Sequence, residues 1–274
     1  MKLKKRIGTI CVNSIAWVIS ITMLIPFLLI VLNSLKTSLE AAEMSLAFPS
    51  LPQFSNFSVV IEKGDMITGF FNNLLFSTFS VLITTLFASM AAYVFARNRR
   101  KIHNFFYYFI VLGITMPINF ITLVRVMQTL HLMNSRLGII LLYSAIQMPF
   151  SLFLIYSFIV KIPRDIDEAG VIDGCSTIQL FTWIVLPLLQ PVLITVMVLT
   201  FLNTWNEFIL PLYMLNNTNY WPMTLAIYKF FGMYHKDWNL MSANIVLTSL
   251  PVILVYLAGQ KYIVSGMIAG SVKG

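Results

Sequence analysis

Few side chains in this chain could do chemistry, and most of them sit in one place. The segment 161–187 reads "KIPRDIDEAGVIDGCSTIQLFTWIVLP" and sets four acids (Asp165, Asp167, Glu168, Asp173) against two bases (Lys161, Arg164) between long apolar runs. A second, smaller group is Glu207 with Asn203, Trp205 and Asn206 beside it, at the far end of the apolar run that follows. Acid pairs can do proton transfer, and amides beside an aromatic can hold a polyhydroxylated ligand by hydrogen bonding and stacking. Other chemistries lack their residues. Cys11 and Cys175 stand far apart with no CxxC spacing, and His103, His131 and His235 are scattered, so no disulfide or metal set is expected. No GxxxxGK[ST] phosphate loop occurs, and the glycine-rich "GMIAGSVKG" at the end lacks its spacing. No catalytic residue, metal ligand or cofactor is therefore assigned to this chain.

The elements that must carry these residues are dictated by composition. Of 274 residues 58% are hydrophobic and 10% charged, with mean hydropathy +0.84. A water-soluble domain carries roughly 25% charged residues, so lipid must solvate part of this surface. A charge-free interval from Glu207 to Lys229 is broken by the polar, proline-containing "LNNTNYWP" and reads as an external loop. Six others are free of Asp, Glu, Lys and Arg: Arg6 to Lys36, Asp65 to Arg97, Lys101 to Arg125, Arg136 to Lys161, Asp173 to Glu207 and Asp237 to Lys261. Each exceeds the roughly 20 residues a helix needs to cross a bilayer. The densest apolar cores fall at 12–33, 71–95, 105–124, 138–159, 188–210 and 243–260. The expected fold class is all-α, a polytopic membrane protein with six transmembrane helices.

Orientation follows from the basic residues. Lys2, Lys4, Lys5, Arg6, Arg97, Arg99, Arg100, Lys101, Lys161, Arg164, Lys261 and Lys273 fall on one side. The six others (Lys36, Lys63, Arg125, Arg136, Lys229 and Lys236) fall on the opposite side. Both termini and the segment 161–187 are thus expected in the cytoplasm. The net charge of +8 reports topology, and no nucleic-acid partner is implied. The basic start followed by an apolar run resembles a secretory signal, but the run is too long and no A-x-A site follows, so a retained first helix is expected. Three parts follow: 1–69, the first helix and an external loop; 70–264, the membrane core with the cytoplasmic loop 161–187; and 265–274, a cytoplasmic tail. Asn72, Asn73 and Asn119 are expected to hydrogen-bond between helices. Pro26 and Pro117 should kink or loosen their spans.

The polar segment itself is written as helix, glycine, helix. Pro163 suits the first helical position, and Asp165, Asp167 and Glu168 face the positive end of the helix dipole. Ile166, Ala169, Gly170 and Asp173 recur at helical spacing with little bulk. Gly174 supplies a left-handed stop. Ser176 and Gln179 have the spacing of a capping box that opens the next helix toward Pro187. An ordinary solvated loop would be short and basic, whereas this one is long and acidic, which favours a docking element.

"EAGVIDGCSTIQLFTWIVLPLLQP" resembles the EAA loop of ABC-importer permeases, a Glu-Ala-Ala, then a Gly, then Ile-x-Leu-Pro. The matching residues are Glu168, Ala169, Gly174, Ile184, Leu186 and Pro187, with Asp173 in the usual Asp-Gly pair. Gly170 departs from the second Ala, and Cys175 from the small residue after the Gly. "GQKYIVSGMIAGSVKG", "NTWNEFILPL" and "RNRRKIHNFFYYFIVLGITMPINF" resemble segments of the carbohydrate-uptake, maltose-type branch, in particular its shorter six-helix subunit.

That resemblance implies a type I ABC importer permease fold in a bacterial inner (cytoplasmic) membrane. It implies a pore shared with a second permease, two ATP-binding subunits that carry the ATP-Mg chemistry, and an extracytoplasmic binding protein that delivers a sugar. It further implies that Asp167, Glu168, Ala169, Gly170, Asp173, Gly174, Ile184, Leu186 and Pro187 couple to the ATPase, and that the tail (Gly270, Ser271, Val272, Lys273, Gly274) lies near it. Asn203, Trp205, Asn206 and Glu207 are candidates for the translocation path. Glu207 lies roughly 28 Å of helix beyond Leu188, near the outer end of its span, so an interfacial carboxylate is an equal reading. The alternative function is an ABC permease for a non-sugar solute. A membrane enzyme or secondary transporter would bury carboxylates or histidines deep in its spans, and the apolar cores hold none apart from Glu207 near the outer end of its span.

Overall fold

The computed structural model describes the backbone of residues 2–98, 100–232 and 236–271, and the side chains of 12–98, 100–232 and 236–262. The principal helices are α1 (Lys2–Ser34), α2 (Ser38–Ala42), α3 (Ser55–Lys63), α4 (Met66–Arg97), α5 (Lys101–Leu112), α6 (Phe120–Thr129), α7 (Arg136–Ile159) and α8 (Asp165–Ile172). They continue with α9 (Thr177–Leu188), α10 (Gln190–Trp205), α11 (Ile209–Met214) and α12 (Trp238–Ser271). Among the described residues four helices are long and apolar enough to cross a bilayer: Val12–Ser34 of α1, α4, α7 and Trp238–Tyr262 of α12. A fifth span is available if α9 and α10, which meet at a 77° bend, are taken together.

The third apolar run does not form the single helix expected over 105–124. It is α5, a break, and α6. The reason is local: Gly113 caps α5, Pro117 falls in the break, and the Asn119 side chain accepts from Thr122 N at 3.0 Å to open α6. Asn119 is thus a cap and makes no bond between spans among the described residues. Pro26 lies inside α1.

The chain divides into two compact units, residues 68–225 with 251–274 and residues 1–67 with 226–250. In the first, hydrogen bonds and close approaches fix helix directions. Ser80 Oγ donates to Ile140 O (3.1 Å) and Thr84 Oγ1 to Ser144 O (3.4 Å). Both pairs are offset by 60 residues, so α4 and α7 run parallel. The chain between them must therefore return the length of α4, and α5 with α6 makes that return. Asn73, near the start of α4, donates to Trp205 O at the end of α10 (3.1 Å), so α10 runs opposite to α4. Thr195 Oγ1 reaches Tyr262 O at 2.9 Å, and a Cβ built on Gly259 would lie 2.7 Å from Val198. Residue numbers rise on α10 as they fall on α12, so these two are antiparallel.

The α4 face that makes this packing possible is small. Ser77, Ser80, Thr84, Ala88 and Ala92, spaced three or four apart, are all fully buried, which lets a neighbouring backbone approach where apolar helices gain nothing from water exclusion. Toward the C-terminal end of α4 a core forms from Ala88, Ala92, Tyr93, Leu152, Ile155, Ile159, Leu180, Val185 and Leu189. Toward its start a second core gathers Phe76, Met127, Ile139, Tyr143, Leu210 and Met214. The polar loop after α11 is folded onto that end: Asn72 Nδ2 donates to Asn219 O and Trp221 O (2.9 and 3.0 Å), and Asn134 Oδ1 accepts from Asn216 N and Asn217 N.

The second unit closes the end of α1. Its released carbonyls Ser34 O and Lys36 O both accept from Asn56 Nδ2 at 2.9 Å, and Asn56 Oδ1 accepts from Asn239 Nδ2 at 3.0 Å. Lys36, counted by charge alone as a surface marker, is only 1% exposed. Its ammonium is held by Ser45 O (2.6 Å), Ser45 Oγ and Asn33 Oδ1. Thr37 and Glu40 form the capping box of α2. Hydrogen bonds from Ser50 and then Thr37 hold the Glu40 carboxyl down to about 2. Because this pKa is lowered, its contribution is full above the ordinary value of 4.5 and is lost only as pH falls toward 2.

Replacing Ala88 with Leu should lower stability by about 2–3 kcal/mol, since a filled helix contact cannot accept a butyl side chain without moving a backbone. Thermal melting of the purified protein checks this, with the exposed Phe87→Leu as the comparison that should melt like the parent.

Candidate functional site

The segment 161–187 folds as a compact helix pair at the C-terminal end of α4. α8 begins at Asp165 with Arg164 as its cap residue, so Pro163 precedes the helix and does not occupy its first position. The stop is a complete Schellman motif: Cys175 N donates to Gly170 O (3.0 Å), Gly174 N to Val171 O (3.0 Å), and Gly174 has φ +82°. A Cβ on Gly174 would meet nothing within 4 Å, so backbone conformation alone calls for glycine here. Ser176 then opens α9 through the expected capping box, with Gln179 Oε1 accepting from Ser176 N at 2.8 Å and Ser176 Oγ from Gln179 N at 3.4 Å. The middle of α9, Leu180–Val185, is π-helical, a local underwinding that sequence periodicity does not announce.

α8 is tied down on one side. Asp167 and Arg97 form an ion pair, Oδ2 to Nη2 at 2.7 Å, with both side chains 14% exposed. Tyr93 OH donates to Asp167 Oδ1 at 3.1 Å. Arg97 Nη1 also donates to Ile162 O (3.2 Å), and Arg164 Nη2 to Ala96 O (3.3 Å). Two guanidiniums therefore sit at the negative end of the α4 dipole and clasp the turn that leads into α8. A displacement of α8 must carry the end of α4 with it or break a mostly buried ion pair.

Gly170 serves an internal contact. It is buried, and an added Cβ would lie 2.5 Å from Leu180 Cδ1 and 2.9 Å from Ile184 Cδ1. The four small positions expected on one face thus divide: Gly170 and half-buried Ile166 turn toward the protein, while Ala169 and Asp173 are exposed with Glu168. Ile184 and Leu186 pack on the core beneath, and Pro187 is exposed. Three apolar side chains that sequence reasoning passed over crown the pair: Val171, Ile178 and Ile172, the last 85% exposed. The signal was there, since all three flank the Asp173–Ser176 turn that separates the helices.

The second group is not assembled into one site. Trp205 is 1% exposed, its ring set between Phe70 and Phe201 at centroid distances of 5.7 and 5.3 Å. Asn206 Nδ2 donates back to Leu202 O within α10. Glu207 lies in the break after α10, where Oε1 accepts from Ile209 N (2.9 Å) and Leu210 N (3.1 Å) and so caps α11. Asn203 is exposed and donates to Gln147 Oε1 of α7 at 3.2 Å. Gln147, a mid-helix amide that went unremarked among apolar neighbours, is thereby paired with it. Of the tail, Gly270 and Ser271 continue the backbone of α12, while their side-chain surroundings and all of Val272, Lys273 and Gly274 lie outside the described residues.

Residues 84–269 match the family model described as "Binding-protein-dependent transport system inner membrane component". The "Probable starch degradation products transport system permease protein AmyC" of Thermoanaerobacterium thermosulfurigenes is 34% identical over 93% of this chain and 94% of its own length. The "Multiple sugar-binding transport system permease protein MsmG" of Streptococcus mutans is 33% identical over 92% and 93%. A crystal structure of a bacterial ABC transporter involved in alginate import shares the fold, with TM-score 0.82 at 22% identity over 94% of this chain and 96% of that one.

The two glycines should respond differently. Gly174→Val should cost about 2 kcal/mol from backbone strain alone. Gly170→Ala should be nearly neutral, because flexible methyl ends can yield, whereas Gly170→Ile should cost about 2–3 kcal/mol by prying α8 from α9. Hydrogen exchange across residues 165–188 reads both effects. Equal protection in Gly174→Val and parent would contradict the first.

Proposed function

The chain belongs to the family of inner-membrane components of binding-protein-dependent transport systems, and we propose that it is one permease of an ATP-driven importer of sugars or oligosaccharides. The observation that carries this reading is the α8–α9 pair, a polar, tightly capped element with an apolar crown, pinned to a membrane-crossing helix by Arg97 and Asp167. An element exposed at its tip and anchored at its base suits the transmission of force from a soluble partner.

In this reading the pair seats in a cleft of an ATP-binding subunit on the cytoplasmic face. Glu168, Ala169 and Asp173 join Val171, Ile172 and Ile178 in the contact. Asp167, Gly170, Ile184 and Leu186 hold the pair to the protein, Gly174 sets its turn, and Pro187 begins the bend into α10. ATP binding by the partner subunits favours one of two packed arrangements, and α8 carries the difference to α4. The chain crosses the membrane six times: α1, α4, the two-piece α5–α6, α7, α9–α10 and α12. Both termini are cytoplasmic. A second permease completes the pore, and an extracytoplasmic binding protein supplies the substrate.

Sugar as the substrate class rests on the relatives, which include permeases for starch degradation products and multiple sugars. The exposed Asn203–Gln147 amide pair, on α10 and α7, offers hydroxyl-matching donors and acceptors within otherwise apolar spans. ATP hydrolysis stimulated by the binding protein, measured on the assembled transporter against a panel of mono- and oligosaccharides, tests the assignment. Stimulation by a sugar is expected, and stimulation only by another solute would overturn the substrate class.

Ile172→Asp tests the docking surface separately. The side chain is exposed, so membrane insertion and melting should not change. ATPase copurification should fall at least about tenfold if this residue is an interface anchor. Undiminished copurification would remove Ile172 from the contact.

A further inference from the structure

Beside the coupling pair lies a cleft that the proposed function does not use. It has a volume of about 630 Å³ and opens between the end of α4, the start of α5, the end of α7 and the turn into α8. Arg97, Asn98, Asn104, Lys161 and Arg164 supply its polar lining, and no carboxylate lines it. Arg97 Nε is buried and meets no hydrogen-bond acceptor among the described residues, an expensive condition for a charged donor. A narrower apolar groove of about 350 Å³ adjoins the cleft. The two share Lys161, Ile162 and Pro163, and the groove adds Phe158, Ile166 and Leu188.

We propose that this composite site binds an anionic phospholipid, with the phosphodiester headgroup in the basic cleft and the start of an acyl chain in the groove. Three observations converge. The cleft offers guanidinium, ammonium and amide donors, the donor set that phosphate oxygens accept from, with no carboxylate in its lining and the nearby Asp167 paired to Arg97. It stands where α4 and α7 end, the depth at which headgroups lie. The apolar groove at its edge has no use for a free phosphate ion, which has no tail. Basic pockets between membrane helices on the cytoplasmic side are suited to such headgroups. The consequence is local: Arg97 and Arg164 line the cleft and also clasp α8 to α4. A bound headgroup would neutralise their excess positive charge and favour the clasped arrangement.

The test uses the assembled transporter, released from vesicles that contain equal phosphatidylglycerol and phosphatidylcholine. Native mass spectrometry then counts the lipid retained. The parent should hold phosphatidylglycerol in preference. The double variant Lys161→Glu, Asn104→Asp should lose about tenfold of that retention, given an electrostatic contribution near 1 kcal/mol per basic group. Lys101→Glu, which changes a neighbouring charge outside the cleft lining, should keep it. Lys161→Arg with Asn104 intact should also keep it, which separates loss of charge from loss of fold. Equal retention in parent and double variant, or equal loss in the Lys101→Glu comparison, would overturn the site. Displacement of phosphatidylglycerol by millimolar inorganic phosphate would show a free-anion site and overturn the lipid.

Discussion

Inside a bilayer a polar group has no water to fall back on, and a carbonyl or amide without a partner there costs several kcal/mol. Much of the polar inventory of this chain follows from that single constraint. Ser80, Thr84, Asn72 and Asn73 each donate to a backbone carbonyl of another segment. Asn56 closes the carbonyls that α1 releases at its end. These bonds hold helices at fixed register where no hydrophobic force drives helix on helix. The small residues of α4 then let the backbones come close enough for the bonds to form. Packing and hydrogen bonding are in this sense one device.

The same constraint explains why the α8–α9 pair is polar and why it is anchored as it is. Once the chain leaves the spans it can expose acids, and α8 gathers three in its first turn. One of them, Asp167, turns back to meet Arg97 at the last residue of α4. An ion pair with both partners 14% exposed is neither a surface ornament nor a fully desolvated charge. Tyr93 and the carbonyl of Ile162 satisfy further valences around it. Removing either partner strands the other, so the pair fixes the position of α8 on α4 more than it adds net stability.

How much of this was legible beforehand differs by element. Charge-free length identified α1, α4, α7 and α12, because helix rise and bilayer thickness are fixed. Local chemistry identified the stop at Gly174 and the start at Ser176, because caps depend only on neighbours in sequence. The break between α5 and α6 was harder: Gly113, Pro117 and Asn119 are ordinary residues inside an apolar run, and only together do they end one helix and begin another. The pairing of Asp167 with Arg97 joins residues distant in the chain, which no periodicity reports. In sequence the missing side chain of Gly170 looks the same from either face, and only the packing of Leu180 and Ile184 shows which face is covered. Lys36 misled for a related reason: charge is usually a sign of water, yet three neighbouring acceptors keep this one inside.

The departure of Gly170 from the family's Ala can now be given a physical meaning. With alanine at this position the Leu180 and Ile184 methyls would have to withdraw by a fraction of an ångström, and α9 would ride slightly farther from α8. α9 is also where the helix widens and underwinds over Leu180–Val185, a run that contains both of those contacts. Close approach at Gly170 and π-winding across from it are therefore two sides of one fit, in which the wider turn presents Leu180 and Ile184 to a surface without a side chain. α8 is thereby fastened to α4 by charge and to α9 by shape, and in the proposed function both contacts would carry a push on its crown.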